Sequence, residues 1–485
     1  MTRGVGGVGG VGGVGDSVGS GSEDAARLAD RAVRDAVLAR IWQLLTGPLT
    51  QLLLVWGLTA AGQDYFQAFS RMLGLQIFVE LGLSVVLISI ASHEWADLNF
   101  ERGVLGGNRT ALSRLASLVR KSLRWYSGAA AIFLMVVAGS GLWFFGDTER
   151  VRELSGSAER VIWREPWLLL VLLTTGQLLC LPLTAILEGC NQLPVLNRVR
   201  LWQAVCGTGV VWVLLWLGTG LWALVGSAAV RLVFDVWLIG VRYRGFFKSL
   251  VRSEGGEPVN WRTEVLPLQW RIAVQGMALW AASQLPLLVI FRFHGEGEAG
   301  RLGMTWTVLT ALQSASMAWL ETRRPELGML IARRRWQELD RVFFGMFHRA
   351  FAGLAVSMVA FCAAVVLLGL REEWLFVRLS ERLLPPLPTA IFALALVALQ
   401  PALCVNLYVR AHKRDPFLGA ALISSTSIAV LQLILGRTQG TTGVAFGYLL
   451  GTGLIQTPLW LWIWWAARRD WHSSDEKSAN KAGGL

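Results

Sequence analysis

The chain has 485 residues, 54% of them hydrophobic and only 16% charged, with 24 tryptophans and a mean hydropathy of +0.49. Soluble domains carry about 25% charged residues, and here the apolar residues come in long blocks, which excludes a soluble multidomain protein and indicates a polytopic membrane protein. The net charge of +12 sits in short loops between apolar blocks, as in cytoplasmic membrane loops, and excludes a nucleic-acid-binding surface.

Residues 1–22, MTRGVGGVGGVGGVGDSVGSGS, are low-complexity Gly, Val and Ser and read as a disordered tail, too long and glycine-rich for the n-region of a secretory signal. The stretch EDAARLADRAVRDAVLAR (23–40) spaces Ala, Leu and Val helically among mixed charges. It predicts an amphipathic lead-in helix on the cytoplasmic surface. Crossing a hydrocarbon core of about 30 Å takes about 20 residues. Apolar blocks of that length fall near 41–61, 65–91, 124–145, 166–189, 199–218, 221–243, 268–291, 301–322, 346–370, 387–410, 417–436 and 441–466. The sequence therefore predicts an all-α integral membrane protein of twelve transmembrane helices. Roughly three-quarters of the Lys and Arg lie on the side of the termini, which places both termini in the cytoplasm.

A shift of 227 residues carries the basic loop TALSRLASLVRKSLRWYSGAA onto QELDRVFFGMFHRAFAGLA, Leu112 onto Leu339 and Arg114 onto Arg341, and the start of helix one onto that of helix seven. This predicts a six-plus-six parallel repeat. The tail and lead-in occupy 1–37, an N-terminal lobe 38–250, a C-terminal lobe 251–470 and a cytoplasmic tail 471–485. A site in such a protein lies between the lobes.

Catalytic and metal signatures are missing from the sequence. There is no P-loop, no HExxH and no Gly-x-Ser-x-Gly elbow. Cys180, Cys190, Cys206, Cys362 and Cys404 are scattered singly in apolar blocks and read as small buried hydrophobes. His93, His294, His348, His412 and His472 make no metal-ligand spacing. External loops of about twenty residues or fewer argue against a glycan polymerase or ligase. A transporter without catalytic residues, metal or cofactor is expected.

RIWQLLTGPLTQLLLVWGLTAAGQDYFQAFSRMLGLQIFVELGLSVVLI resembles the opening helix pair of polysaccharide and O-antigen flippases, relatives of the multidrug and toxin extrusion (MATE) transporters. LEGCNQ (187–192), LQWRIAVQ (268–275) and RPELGMLIARRRWQELDRVF (324–343) are similar to further stretches of that family. The resemblance covers roughly 38–470. It implies a MATE-like, two-lobed fold that flips a polyprenyl-pyrophosphate-linked oligosaccharide for polysaccharide or lipopolysaccharide synthesis in the cell inner membrane, among membrane lipids and other polysaccharide-assembly proteins. The drug-exporting branch looks to an acid in helix one or seven for cation coupling. Neither helix has one here, which leaves drug/cation antiport, like a glycan polymerase or ligase, as an alternative.

Charges inside apolar helices mark function. Arg231 falls about 15 Å into helix six, with Asp235 one turn on along the same face. The pair reads either as a self-neutralising packing contact or as an arginine poised for a diphosphate and held meanwhile by Asp235. The forked guanidinium donors match two phosphate oxygens. Arg71, about 9 Å into helix two, either snorkels to the outer headgroups or binds cargo. Glu80, nine residues on, points to the opposite face of a continuous helix, whereas Gln76 and Glu80 share a face. They read as an interhelical polar clasp or a proton relay. In helix seven Gln275 and Gln284 suit a sugar-lining role. The expected substrate contacts are thus Arg71, Arg231, Asp235, Gln275 and Gln284, with Gln76 and Glu80 as coupling or structural polar groups.

Overall fold

The structure is a computed structural model that describes residues 49–101, 104–154, 161–252, 258–294, 297–321, 333–411 and 416–482, with isolated positions in 35–47 and 327–331. The Gly/Val tail, most of the lead-in helix and much of the arginine run before 336 lie outside the described residues. The fold is all-α apart from one small hairpin. Helix α1 (49–57) is followed by α2 (Ala60–Leu73), α3 (Gln76–Glu80) and α4 (Leu83–Trp95). Strands β1 (Leu98–Glu101) and β2 (Val104–Gly107) pair antiparallel, Leu98 opposite Gly107. Then come α5 (Arg109–Leu154), α6 (Arg164–Gly189), α7 (Leu193–Trp216), α8 (Trp222–Trp237), α9 (Arg244–Arg252), α10 (Leu266–Phe293) and α11 (Glu298–Glu321). The last are α12 (Trp336–Gly369), α13 (Trp374–Ser380), α14 (Pro386–Ala411), α15 (Leu418–Leu450) and α16 (Thr457–Ala482).

Among the described residues, eight helices are long and apolar enough to cross a membrane, or nine when the bent run from Ala60 to Trp95 counts as one span. Residues 58–59, 217–221, 294, 297 and 370–385 lie at one end of the bundle, here the far end. The chain leaves from the opposite, near end. Helices α5 and α12 begin at Arg109 and Trp336, the 227-residue offset seen in the sequence.

Helix two differs from the expected single rod over 65–91. Thr59 starts α2 by accepting a hydrogen bond from the Gly62 N–H on its side-chain oxygen at 3.1 Å. Downstream, Leu81 and Gly82 take left-handed φ of 49° and 67°, and the run bends by 49° before α4. The cause is crowding by α10. A Cβ on Gly82 would lie 2.2 Å from Ile272 Cγ2 and one on Gly74 2.7 Å from Trp280 Nε1. The opposite-face relation of Arg71 and Glu80, argued on a straight helix, therefore does not apply. The sequence reading also placed no strand at 98–107. There Phe100 packs on Tyr243 and Phe246, centroids 6.2 and 5.5 Å away, fixing the hairpin against the start of α9.

Helix α15 contains the sharpest reversal. Gly440 adopts φ 65°, ψ −144°, a region open essentially to glycine alone. There the chain doubles back. Cβ atoms added at Gly436, Gly447 and Gly451 would stand 2.6 Å from Val444 Cγ2, 2.8 Å from Gln432 N and 2.4 Å from Ile428 Cγ1. Absent side chains let the two limbs touch backbone to side chain, the close approach that stabilises helix pairs where lipid removes the hydrophobic drive. At the far end Tyr65, Phe69, Phe145, Trp163, Trp167 and Phe291 form one buried aromatic cluster across α2, α5, α6 and α10. Each such pair is worth about 0.5–1.5 kcal/mol beyond its burial.

Gly440→Ala should cost about 1–3 kcal/mol, because only the backbone angle opposes it: the nearest atom to the new methyl group is His294 Nδ1 at 3.4 Å. Gly345→Ala in the interior of α12, where nothing lies within 4 Å, should be neutral or stabilising. Thermal unfolding in detergent distinguishes them; equal melting temperatures would contradict the reversal at Gly440.

Candidate functional site

At the far end, the hydrogen bonds between the first and second halves of the chain gather around one carboxylate. Asp64, in the first turn and a half of α2, is 0% exposed. It accepts the Gly297 N–H on Oδ2 at 2.7 Å and the Gly300 N–H on Oδ1 at 2.6 Å. It thereby caps the N-terminus of α11 from across the seam, where the helix dipole favours an anion. Gln63 beside it donates from Nε2 to the Gly300 carbonyl at 3.3 Å and accepts from Arg382 at 3.1 Å. Arg382 also donates to the Leu58 carbonyl at 3.1 Å, and Arg292 of α10 pairs with Asp147 of α5. Glycines at 300 and 303 let α2 approach: a Cβ there would lie 3.0 Å from Gln63 Cγ and 2.6 Å from Gln67 Cδ. The far end of the seam is closed.

About two turns deeper along α2, Arg71 donates from Nη1 to Gln284 Oε1 at 2.7 Å. Among the described residues no carboxylate pairs with it. Arg71 lines a cavity of about 20 Å³ with Ser283, Pro286, Trp306, Gln432 and Val444, room for little more than one water molecule. Pro286 lacks the N–H that would close the turn onto the Ala282 carbonyl. Together with the buried Gln432 Oε1, which has no hydrogen-bond partner, it makes this wall of the seam rich in polar groups. The Arg71 head turns to α10.

The other expected residues are placed as follows. Gln284 joins Arg71. Gln275 is half-buried on the same helix, nine residues before it and apart from that contact. Gln76 is exposed at the start of α3. Glu80 accepts a hydrogen bond from Ser84 across the break before α4, not from Gln76. Arg231 and Asp235 do not form the expected pair. Asp235 Oδ1 accepts from Gln203 Nε2 of α7 at 2.8 Å, and the same amide reaches the Arg231 carbonyl at 3.3 Å. The Arg231 head is exposed and makes no ion pair among the described residues. Spacing along α8 could not reveal that α7 supplies the better partner.

The sequence reading missed Asp64, Gln63 and Arg382. Their signal was faint: an acid at an apolar block's border, and a glycine-rich GEGEAGRLG opposite it. At the near end, Arg114 of α5 bridges Glu94 and Glu264 at 2.7 and 2.6 Å, and Lys121 donates to the Val259 carbonyl at 2.7 Å. The Glu264 carboxyl is held below the usual glutamate range, first by the Asn260 backbone N–H and then by Arg114. Its part in this bridge is therefore present at neutral pH and lost only as pH falls below the ordinary carboxylate range. No group of three or more metal-ligating side chains occurs among the described residues.

Against known proteins, no family model and no curated relative matches this sequence. Solved structures do. The chain is similar to the lipid II flippase MurJ in an inward closed conformation, with a TM-score of 0.60, 14% identity, and 88% of this chain and 86% of that one covered. It is also similar to a multidrug resistance MATE family transporter of the MOP superfamily in an inward-facing conformation, with a TM-score of 0.61, 14% identity, and 90% and 99% covered. The Vibrio cholerae MATE transporter VcmN in its bent form matches with a TM-score of 0.50, 13% identity, and 93% and 98% covered. The chain has the fold of these multi-pass membrane transporters, as its sequence led one to expect.

The seam generates two predictions. A Cβ on Gly297 would lie 3.6 Å from that of Ala60, within disulfide range; Gly297 has φ 85°, so a cysteine there costs about 1–3 kcal/mol, and the pair Ala60→Cys with Gly297→Cys, in a chain with its own cysteines replaced, should still crosslink on oxidation. Adding Asp64→Asn puts an amide NH2 where one N–H needs an acceptor, costing about 1–3 kcal/mol, and should lower the crosslink yield; an unchanged yield would deny Asp64 its part in closure. Further in, Arg231→Ala should leave the melting temperature nearly unchanged. Gln203→Leu, which strands the Asp235 carboxylate, should lower it by several degrees; the reverse order would restore the expected ion pair.

Proposed function

We propose that this protein is a membrane transporter that flips a polyprenyl-pyrophosphate-linked oligosaccharide across the cytoplasmic membrane. The observation that carries this reading is Arg71, a cation between the two halves whose described partner is a neutral amide rather than a carboxylate. A charge deep in an apolar helix is expensive and is kept for function. Without an acid to neutralise it, it suits an anionic cargo, and a diphosphate fits its fork. Gln284 holds the head until cargo arrives; Gln275 and the exposed Arg231 offer further polar contacts along the path. The similarity to a lipid II flippase agrees with an anionic lipid-linked substrate.

Twelve spans follow when α1 and α11 are added and α15 is divided at Gly440, six in 38–250 and six in 251–470. The excess of cations at the near end puts that end, and both termini, in the cytoplasm. The closed far end is then the outer one. Cargo enters from the inner leaflet, the Asp64 contacts break, and the halves rock to release it outside. Apart from lending binding groups, the chain does no chemistry in this scheme and uses no cofactor.

The test is a leaflet-specific assay of lipid-linked glycan in cells lacking the protein. Glycan should accumulate on the inner leaflet and be cleared by the wild type. Arg71→Ala at normal protein level should fail to clear it. Arg71→Lys should clear it at least about tenfold more slowly than wild type, since an ammonium lacks the fork. Wild-type rates from Arg71→Ala would remove the site, and lengthening of the glycan by purified protein alone would replace the transporter by a polymerase.

A further inference from the structure

A second feature lies on the closed end, away from Arg71. Between the turn after α1 and the helix α13 is a groove of about 520 Å³ whose walls include Trp56, Thr59, Trp374, Arg378, Glu381 and Arg382. Ligand pockets commonly fall within about 300–1,000 Å³. The two indoles meet edge to face, centroids 5.3 Å apart at 83°, and each remains largely uncovered, 53% and 61% exposed. The Arg378 guanidinium lies 5.8 and 5.5 Å from the two ring centroids, and its Nη2 donates to the Trp56 carbonyl at 3.3 Å. That contact uses one of five donors. Arg378 is thereby held in one place by rings from both halves of the chain with donors to spare.

We infer that this groove is a binding site for an acidic saccharide, a sugar bearing a carboxylate or phosphate, and that its occupancy holds the far end of the seam shut. Indoles give broad apolar faces for the C–H side of a pyranose while keeping a polar N–H edge. A fixed guanidinium supplies the paired donors that an oxyanion requires. One wall belongs to α1 and the turn behind it, the other to α13 and its C-terminal continuation. Movement of the halves apart separates the indoles and dismantles the site. A ligand that binds only the closed arrangement must favour it by mass action. The inference rests on the groove alone and stands whether or not Arg71 holds cargo.

The experiment uses the full chain in phosphatidylcholine nanodiscs. Digalacturonate should raise the melting temperature in a saturable way and raise the yield of the 60–297 disulfide. Neutral digalactoside should bind about tenfold more weakly, as expected for loss of a charge-assisted hydrogen bond. Arg378→Gln should erase the preference for the acid, Arg378→Lys should keep part of it, and Trp374→Ala should weaken both sugars. Should Trp374→Ala fail to fold, Trp374→Leu reports the same loss of the ring. The inference is overturned if digalacturonate has no effect on the wild type, or if Arg378→Gln binds it as well as wild type does. It is overturned equally if only exchange of the lipid for phosphatidylglycerol stabilises the protein in an Arg378-dependent way, since the groove then takes a phospholipid headgroup. Arg71→Ala in the same assay keeps the two sites apart: saccharide binding should survive it.

Discussion

A buried carboxylate fixes the far end of the seam between the two halves of this chain. Burying an ion is costly, and the return depends on how completely its lone pairs are met. Asp64 meets two of them with backbone N–H groups of α11, donors fixed by the helix and unable to rotate away. Once that cap is set, the register between α2 and α11 is set with it. The glycines at 300 and 303 then fall opposite Gln63 and Gln67, and the aromatic cluster of Tyr65 and Phe291 closes beneath. Small residues bring the helices together, and the charge decides where they stop.

The arrangement around Arg71 has the opposite character. Its hydrogen bond to Gln284 satisfies one donor and leaves the positive charge uncompensated among the described residues. The adjacent cavity is too small for a sugar or a diphosphate, so the closed seam holds a polar surface in reserve rather than a finished pocket. The buried Asp64 carboxylate is thus capped by backbone at the far end, and the Arg71 cation below it has no carboxylate partner among the described residues. This division agrees with the anionic cargo proposed above: the buried carboxylate is neutralised by backbone dipoles, and Arg71 is met by an amide.

Much of the architecture could be read from hydropathy because apolar blocks between charged borders leave little freedom. The block 166–189 became Arg164–Gly189, and 268–291 became Leu266–Phe293. The 227-residue offset survived as the shared starts of α5 and α12. Helix two was misread because its break arises from α10 pressing on Gly74 and Gly82, a contact between segments some two hundred residues apart. The candidate site was legible in kind but not in partnership. Arg71 and Gln284 were both picked out for being polar in apolar helices, yet nothing in the spacing joined them. Arg231 and Asp235 were joined by spacing, and Gln203 intervened. Helical periodicity shows which residues share a face and is silent about which neighbour that face will meet.

Helix α5 has 46 residues, about 69 Å at 1.5 Å per residue, more than twice the roughly 30 Å of a bilayer's hydrocarbon. Its overhang at the near end is tied through Arg114 and Lys121 to residues 259–264, the stretch that leads into α10 and the second half. A long rod anchored at one end and tethered near the other is a lever. In a rod of this length any tilt is larger at the tip than at the anchored end, and the tether ties that tip to the root of α10. Residues 259–264 thereby join the near end of α5 to the root of the helix that carries Gln284.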